Sequence, residues 1–123
     1  MMVYFKINHS FKNYYLKLKE IKELKKMGMI IGNHGVAHKN LSFMSYNEQM
    51  REIKNSKEFL EELTGTNIHH FAYPFGNKLS FNKDTFKILK KLNYKYAFTS
   101  EKKYIFKNKL YNIPRIDCVN INI

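Results

Sequence analysis

The sequence predicts an α/β fold with a mainly parallel sheet. Short apolar segments rich in β-branched and aromatic residues alternate along the chain with amphipathic segments of helical period, which is the pattern of repeated βαβ units. Glycines and prolines stand at several junctions between these segments. The chain has 123 residues, 44% of them hydrophobic, so we expect one domain, residues 1–123, with a single modest core.

The first half of the chain predicts one βαβ unit. Met2–Ile7 is β-branched and aromatic enough for a strand, and Phe11–Met27 carries apolar residues three apart, as in an amphipathic helix. Gly28 suits the end of that helix. Met29–Ile31 is a short apolar run between glycines, which indicates a buried strand of a parallel sheet.

The second half continues the alternation of helices and strands. Ser45 and Glu48 have the spacing of a capping box, which predicts the start of a helix. The predicted elements that follow are a helix to about Thr64, a strand Ile68–Tyr73, a helix Lys83–Leu92, a strand Tyr96–Thr99, a loop or hairpin Glu101–Asn112 and a final strand Ile113–Ile123. Such units make about half of a closed (β/α) barrel, so we predict a partial barrel.

The net charge of +12 is typical of proteins that bind polyanions. Arg51 and Arg115 are, however, the only arginines among 22 basic residues. Arginine makes the bidentate contacts to phosphates and bases, so its scarcity argues against specific nucleic-acid recognition. A solvated lysine surface is the favoured interpretation, and a basic nucleic-acid-binding module stays open as an alternative.

No segment of the sequence predicts a membrane span or a secretory leader. The apolar runs are far shorter than a bilayer requires, and Met1–Ser10 lacks the apolar core of a signal peptide. A cytoplasmic location is therefore the default expectation. The single cysteine, Cys118, excludes an intrachain disulfide, and we interpret it as a small packing residue.

Two histidines follow the predicted buried strand. His34 and His38 are separated by three residues in a loop that contains Gly35. The carboxyl ends of parallel strands are where ligands bind, and this histidine spacing is used for zinc. The pattern therefore predicts a metal site, against the alternative of two polar loop residues that only form hydrogen bonds. It is not the helical zinc-protease motif, because Gly35 stands where that motif requires glutamate.

The segment from Phe71 to Gly76, F-A-Y-P-F-G, ends another predicted strand. A proline turn that simply ends the strand would explain this segment without any functional role. It would also expose backbone N–H groups at the carboxyl edge of the sheet, where they could stabilise a developing oxyanion, and its aromatic residues could line a sugar-sized cleft. His69 and His70 lie within the strand on opposite faces, and neither is assigned a role.

Taken together, these motifs resemble the polysaccharide deacetylases of carbohydrate esterase family four. The resemblance covers about Val3 to Val119 in the order of the family. It rests on the runs I-I-G-N-H-G-V-A-H-K-N-L-S, E-E-L-T-G, F-A-Y-P-F-G and N-Y-K-Y-A-F-T-S. It implies a distorted (β/α) barrel, a divalent metal that is often zinc, and hydrolysis of N-acetyl or O-acetyl groups on a polysaccharide.

The resemblance also implies roles for individual residues. His34 and His38 match the two metal-binding histidines of the family. Tyr73, Pro74 and Phe75 match the segment that lines the substrate groove, and the backbone N–H of Phe75 falls where the family has an oxyanion donor. The implied partner is an acetylated polysaccharide or oligosaccharide.

The sequence departs from the family pattern at several catalytic positions. The T-F-D-D-G motif, which carries the base aspartate and the third metal ligand, has no counterpart, since Glu20 and Glu23 are the only acids before Asn33. Ala72 stands where many members have arginine, and no late Leu-x-His motif follows Tyr96. We therefore expect an N-terminally shortened member that lacks the first barrel strand and is inactive alone. A non-catalytic carbohydrate-binding relic or subunit of the same fold is the alternative. A partner or a missing N-terminal segment would complete the barrel.

The remaining carboxylates do not replace the missing motif. Asp84 lies in the first turn of a predicted helix, where the helix dipole is a sufficient explanation. Asp117 stands two positions after Arg115, which predicts an ion pair.

Overall fold

The computed structural model describes residues 15–101 and 110–115. Its helices are α1 (Leu18–Lys26), α2 (Tyr46–Thr64) and α3 (Lys83–Lys91), with a 3₁₀ turn at Leu41–Phe43. Its strands are β1 (His70–Ala72), β2 (Tyr96–Thr99) and β3 (Ile113–Pro114). Within these ranges no helix is both long enough and apolar enough to cross a lipid bilayer.

The three strands form one parallel sheet in the order β1-β2-β3. His70 pairs with Tyr96 in the first ladder, and Phe98 pairs with Ile113 in the second. On the other side of β1, Asn33 forms an isolated parallel bridge with Phe71. The predicted α/β fold is confirmed, and the sheet is compatible with part of a barrel.

Helix α2 begins and ends as local sequence signals predict. The side chain of Ser45 accepts from the backbone N–H of Glu48, and the Glu48 carboxylate accepts from the backbone N–H of Ser45. At the other end Gly65 adopts the left-handed conformation with a φ of 66°, which ends the helix without steric penalty. Two fully local motifs therefore set both ends of the longest described helix.

The core lies between the sheet and the helices on one of its faces. Phe71 and Ala97 are fully buried on neighbouring strands, and Ile53 and Ile88 bring α2 and α3 onto them. Among the described residues, the buried hydrophobic cluster comprises Leu41, Ile53, Leu60, Ile68, Phe71, Tyr73, Ile88, Leu89, Tyr94 and Ala97. Because α2 and α3 pack against β1 and β2, the carboxyl ends of those strands are held in fixed positions.

The predicted buried strand Met29–Ile31 is wrong. Met29 and Ile30 are 55% and 72% exposed, and strand-like pairing starts only at Asn33, whose N–H donates to the His70 carbonyl oxygen at 2.8 Å. A short apolar run has no periodicity that distinguishes a strand from other extended chain, so pairing with β1 decides where the bridge forms.

Several predicted features lie partly or wholly outside the described residues. These are the strand Met2–Ile7, the first residues of the helix Phe11–Met27, most of the loop Glu101–Asn112, the strand Ile113–Ile123 beyond Arg115, and the roles of Asp117 and Cys118. Arg115 itself donates from Nε to the Thr99 carbonyl oxygen at 3.0 Å.

Candidate metal and substrate site

The histidine loop, residues 34–38, leaves the sheet directly after Asn33. Asn33 is 1% exposed, and its amide group makes four hydrogen bonds. Its Nδ2 donates to the Ile53 carbonyl oxygen and the Tyr94 hydroxyl, and its Oδ1 accepts from the Gly35 N–H and the Ser56 hydroxyl. A buried amide with all these partners orients the start of the loop, because any rotation would leave buried polar atoms unpaired.

His34 is oriented by the end of strand β1. Its Nδ1 lies 2.7 Å from the Ala72 carbonyl oxygen. A carbonyl can only accept, so Nδ1 carries the proton in the neutral ring and Nε2 keeps its lone pair for a ligand. Burial lowers the pKa of His34; the hydrogen bond to Ala72 opposes this effect, and the charges of His38 and Arg115 add to it. The ring is therefore neutral near pH 7, as a metal ligand must be.

His38 lies beside His34 in this loop. The centroids of the two imidazole rings are 4.9 Å apart, with an interplanar angle of 67°. His38 has a φ of 52°, a left-handed conformation that is uncommon outside glycine. The structure thus brings together the two residues predicted to bind the metal, at the carboxyl end of the sheet.

The donor set fits part of a zinc site. Two imidazoles with at least one Nε2 free to bind are ligands that zinc prefers. Within residues 15–101 and 110–115, no group of three or more histidine, cysteine, aspartate or glutamate side chains is arranged to hold a metal ion. His34 and His38 can therefore supply two ligands, while catalytic zinc sites normally have three from protein.

The turn after β1 places an aromatic ring next to the histidine pair. The Phe75 and His38 ring centroids are 4.8 Å apart, and Phe75 is 54% exposed. Phe75 has a φ of 63° and is followed by Gly76, with a φ of 71°. Ser100, after strand β2, donates from its hydroxyl to the Phe75 carbonyl oxygen at 2.8 Å and from its N–H to the Gly76 carbonyl oxygen at 2.9 Å.

The backbone N–H of Phe75 is the predicted oxyanion donor. In the part of the chain that the structure describes, no acceptor is hydrogen-bonded to it. The Pro74 carbonyl oxygen, in the same peptide group as this N–H, accepts from the Gly76 N–H at 2.8 Å, and the two bonds from Ser100 hold the next two peptide groups, so the direction of this N–H is set by the fold. A donor held in advance is what stabilisation of an oxyanion requires.

The predicted groove residues Tyr73 and Pro74 are buried instead. The Tyr73 ring is 0% exposed, stacks on Phe81 with 3.9 Å between centroids, and donates its hydroxyl hydrogen to the Tyr111 carbonyl oxygen. Burial raises the pKa of Tyr73 far above its ordinary value. Tyr73 lies two residues after buried Phe71 and shares its face of the sheet, so of the three predicted groove residues only Phe75 presents its side chain to solvent.

The other candidate residues have partners away from the pair. His70 stacks on Tyr96 with 5.2 Å between centroids, and the Nδ1 of His69 lies 3.3 Å from the Asn93 carbonyl oxygen. Asp84 lies in the first turn of α3, as predicted. Its carboxylate accepts from Lys87 at 2.9 Å.

Four polar residues that support the site were not predicted from the sequence: Asn33, Glu52, Ser56 and Ser100. Glu52 and Ser56 lie on the same face of α2 as Ile53 and are buried there. Polar residues on the apolar face of an amphipathic helix are the signal that could have identified them, because burial of such groups requires specific partners.

The comparison with protein families gives the same assignment as the motifs. A family model described as polysaccharide deacetylase matches residues 2–97. The chain belongs to the polysaccharide deacetylase family. No curated protein gives a significant match.

Solved structures of deacetylases have the same fold. The deacetylase PplD from Streptococcus pyogenes, in complex with acetate, is 35% identical with a TM-score of 0.75, over 82% of this chain and 44% of that chain. A polysaccharide deacetylase from Bacillus cereus is 29% identical with a TM-score of 0.71, over 82% of this chain and 32% of that chain. The chain therefore spans less than half the length of either protein.

A protein described as a pseudoenzyme also shares this fold. A pseudoenzyme of the CE4 family from Bacillus anthracis is 22% identical with a TM-score of 0.60, over 65% of this chain and 27% of that chain. At this identity the likeness concerns the fold alone.

Proposed function

We propose that this polysaccharide deacetylase chain supplies part of the active site of a metal-dependent hydrolase that removes N-acetyl or O-acetyl groups from a polysaccharide. The observation that carries the proposal is the placement of the His34–His38 pair beside the Phe75 turn at the carboxyl end of the sheet. Potential metal ligands, a backbone donor and an exposed aromatic ring thus share one small region.

Each residue contributes a separate function. His34 and His38 would hold a divalent ion, zinc by their chemistry, which when bound supplies Lewis-acid polarisation and a nucleophilic water near neutral pH. The bond from His34 to Ala72 keeps Nε2 directed at the site. The Phe75 N–H donates to the oxyanion of the acetyl group, and the Phe75 ring packs against the apolar face of a sugar.

We also propose that the 123-residue chain alone has little deacetylase activity, because the T-F-D-D-G motif that carries the base aspartate of the family has no counterpart in its sequence. Its two aspartates are Asp84, bonded to Lys87 on α3, and Asp117, which lies outside the described residues and matches no ligand of the family. The base and the third ligand would come from residues outside this chain, either continuous with it or on a partner polypeptide.

Zinc titration of the chain tests the metal site. We expect the wild-type chain to bind zinc more tightly than a variant that carries both His34→Ala and His38→Ala. Equal binding by the two proteins would reject the metal site. Acetate release from an acetylated glucosamine oligomer, measured against a blank that contains only zinc, tests the claim of low activity, and a rate well above that blank would contradict it.

A non-catalytic member that retains the sugar-binding surface is a second candidate. It is favoured by the lack of a third ligand within residues 15–101 and 110–115. The coding DNA upstream of Met1 distinguishes the two. An in-frame segment that encodes a T-F-D-D-G-like motif supports the hydrolase, and its absence from both that DNA and any stable partner supports the relic.

A further inference from the structure

We infer that Glu52 is a positioning residue that holds the histidine loop in the conformation that binds metal. The inference rests on the proposed function, since it names a residue that supports the same site. Glu52 lies on α2, and one of its oxygens, Oε1, accepts from two successive loop N–H groups, those of Val36 at 2.8 Å and Ala37 at 2.5 Å.

These two hydrogen bonds satisfy the buried carboxylate of Glu52. The residue is only 8% exposed, and a buried carboxylate requires partners. Hydrogen bonds to an ionised acceptor are shorter and stronger than those between neutral groups. The two N–H groups stand between His34 and His38 in the chain, so bonds to both restrict the segment that determines how the two rings face each other.

A second side chain of α2 supports the same loop. Ser56, one helical turn after Glu52, donates its hydroxyl hydrogen to Asn33 Oδ1 at 2.6 Å, and its Oγ also lies 3.1 Å from the Gly35 carbonyl oxygen. Gly35 has a φ of 80°, and a Cβ built there would lie 3.1 Å from Glu52 Oε1. A larger residue at Gly35 would therefore press against the carboxylate that binds the loop.

The loop requires such support because its backbone is unusual. His38, a non-glycine residue, has a φ of 52°. Backbone conformations of this kind persist only where surrounding contacts stabilise them. Helix α2 is fixed by its buried face, so it is a rigid element from which Glu52 can hold the loop.

Glu52 does not serve as the third metal ligand in this arrangement. Its Oε1 is occupied by the loop N–H groups, and in the described part of the chain no three-residue ligand group is formed. Its effect on metal binding is therefore indirect and acts through the loop backbone.

Three variants of the 123-residue chain test the inference. Glu52→Ala removes the acceptor, whereas Glu52→Gln keeps a side-chain oxygen that can accept both N–H groups. Glu61→Ala is the matched control, because Glu61 is on the same helix and accepts from a backbone N–H at 2.8 Å, that of Ile68, which is not in the loop. Zinc affinity is measured by titration calorimetry below the unfolding transition of each variant.

We expect Glu52→Ala to weaken zinc binding about tenfold or more and Glu52→Gln to change it by less than about threefold. We expect Glu61→Ala to lower the unfolding temperature without changing zinc affinity. Zinc binding by Glu52→Ala that equals wild type overturns the inference. Equal weakening by Glu61→Ala overturns it too, because general destabilisation would then explain the effect.

Amide hydrogen exchange without metal gives an independent measurement. We expect the Val36 and Ala37 amides to exchange faster in Glu52→Ala, and to remain protected as in wild type in Glu61→Ala. Unchanged protection in Glu52→Ala overturns the inference. If zinc binding does not depend on His34 and His38, the proposed metal function fails, while this exchange experiment still decides whether Glu52 holds the loop.

Discussion

The Nδ1 atom of His34 lies 2.7 Å from the carbonyl oxygen of Ala72. This contact links the histidine loop to the carboxyl end of β1 and determines which ring nitrogen can bind a ligand. It also joins the two motifs H-G-V-A-H and F-A-Y-P-F-G, which lie far apart in the sequence.

We predict that His34 makes the stability of the protein depend on pH. Its pKa is lowered in the folded state, chiefly by burial, so the unfolded chain binds more protons at mildly acidic pH. The contribution of His34 to stability should be fully present above its pKa in the unfolded chain, about 6.5, and should decrease as the pH falls toward its pKa in the folded protein. Urea unfolding between pH 7.5 and 5 measures this. A His34→Asn variant with the same slope as wild type would contradict it.

We predict that Glu61→Gln destabilises the protein by about 1 kcal/mol at pH 7. Burial acts to raise the pKa of Glu61, but hydrogen bonds from Lys57 and the Ile68 N–H outweigh it and lower the pKa. The stabilisation is therefore present above the unfolded value of about 4.3 and is lost as the pH falls through the folded pKa. Denaturant unfolding at pH 7 and pH 3 measures the difference between the proteins.

The control for Glu61 is Glu58→Gln on the same helix. Glu58 is 59% exposed and lies 3.5 Å from Lys54, so its pair should contribute less than about 0.5 kcal/mol. A Glu58→Gln effect as large as that of Glu61→Gln would show that burial of the Lys57 pair is not the cause.

We predict that Gly76→Ala destabilises the Phe75 turn by about 3 kcal/mol. Gly76 has a φ of 71°, and a Cβ there would lie 2.6 Å from the backbone nitrogen of Ser100. Gly65→Ala is a control for the dihedral alone, since Gly65 has a φ of 66° and no atom within 4 Å of the added Cβ. Chemical denaturation of both variants measures the difference, and equal losses would show that contact with Ser100 is not important.

We predict that Phe75→Ala weakens binding of a chitin-type oligosaccharide about fivefold, because an aromatic ring contributes roughly 1 kcal/mol beyond its buried area. Phe43→Ala is the matched control, an aromatic residue that is 87% exposed on the 3₁₀ turn. Titration followed by amide chemical shifts measures both affinities. Equal affinities for Phe75→Ala and Phe43→Ala would remove Phe75 from the sugar-binding surface.

Helix ends were predictable because their signals are local. The Ser45–Glu48 capping box lies at the start of α2 and Gly65 at its end, and no distant contact is needed to interpret them. The strand Tyr96–Thr99 was likewise predicted with the bounds that the structure has. By contrast, Met29–Ile31 has only its apolar character, which does not specify a partner strand, and the prediction of a buried strand was wrong.

For Tyr73 the sequence contained the correct signal, the alternation of faces along the strand, but the prediction followed the motif around Pro74 instead. Alternation along the strand places Tyr73 on the same face as Phe71, which is toward the core, whereas the motif around Pro74 suggested a groove. The alternation decided the position of the side chain, because a ring that stacks on Phe81 gains more from burial than from exposure at the edge.

The amino-acid sequence by itself determined the α/β class, the family, the ends of α2 and the choice of His34, His38 and Phe75 as site residues, because each depends on periodicity or on motifs of a few neighbouring positions. The tertiary structure alone decided that Glu52 supports the histidine loop and that Ser100 supports the Phe75 turn. Those contacts join residues 15 to 25 positions apart. No local pattern encodes such pairs, since they form only when packing of the core brings the helix, the loops and the strand ends together.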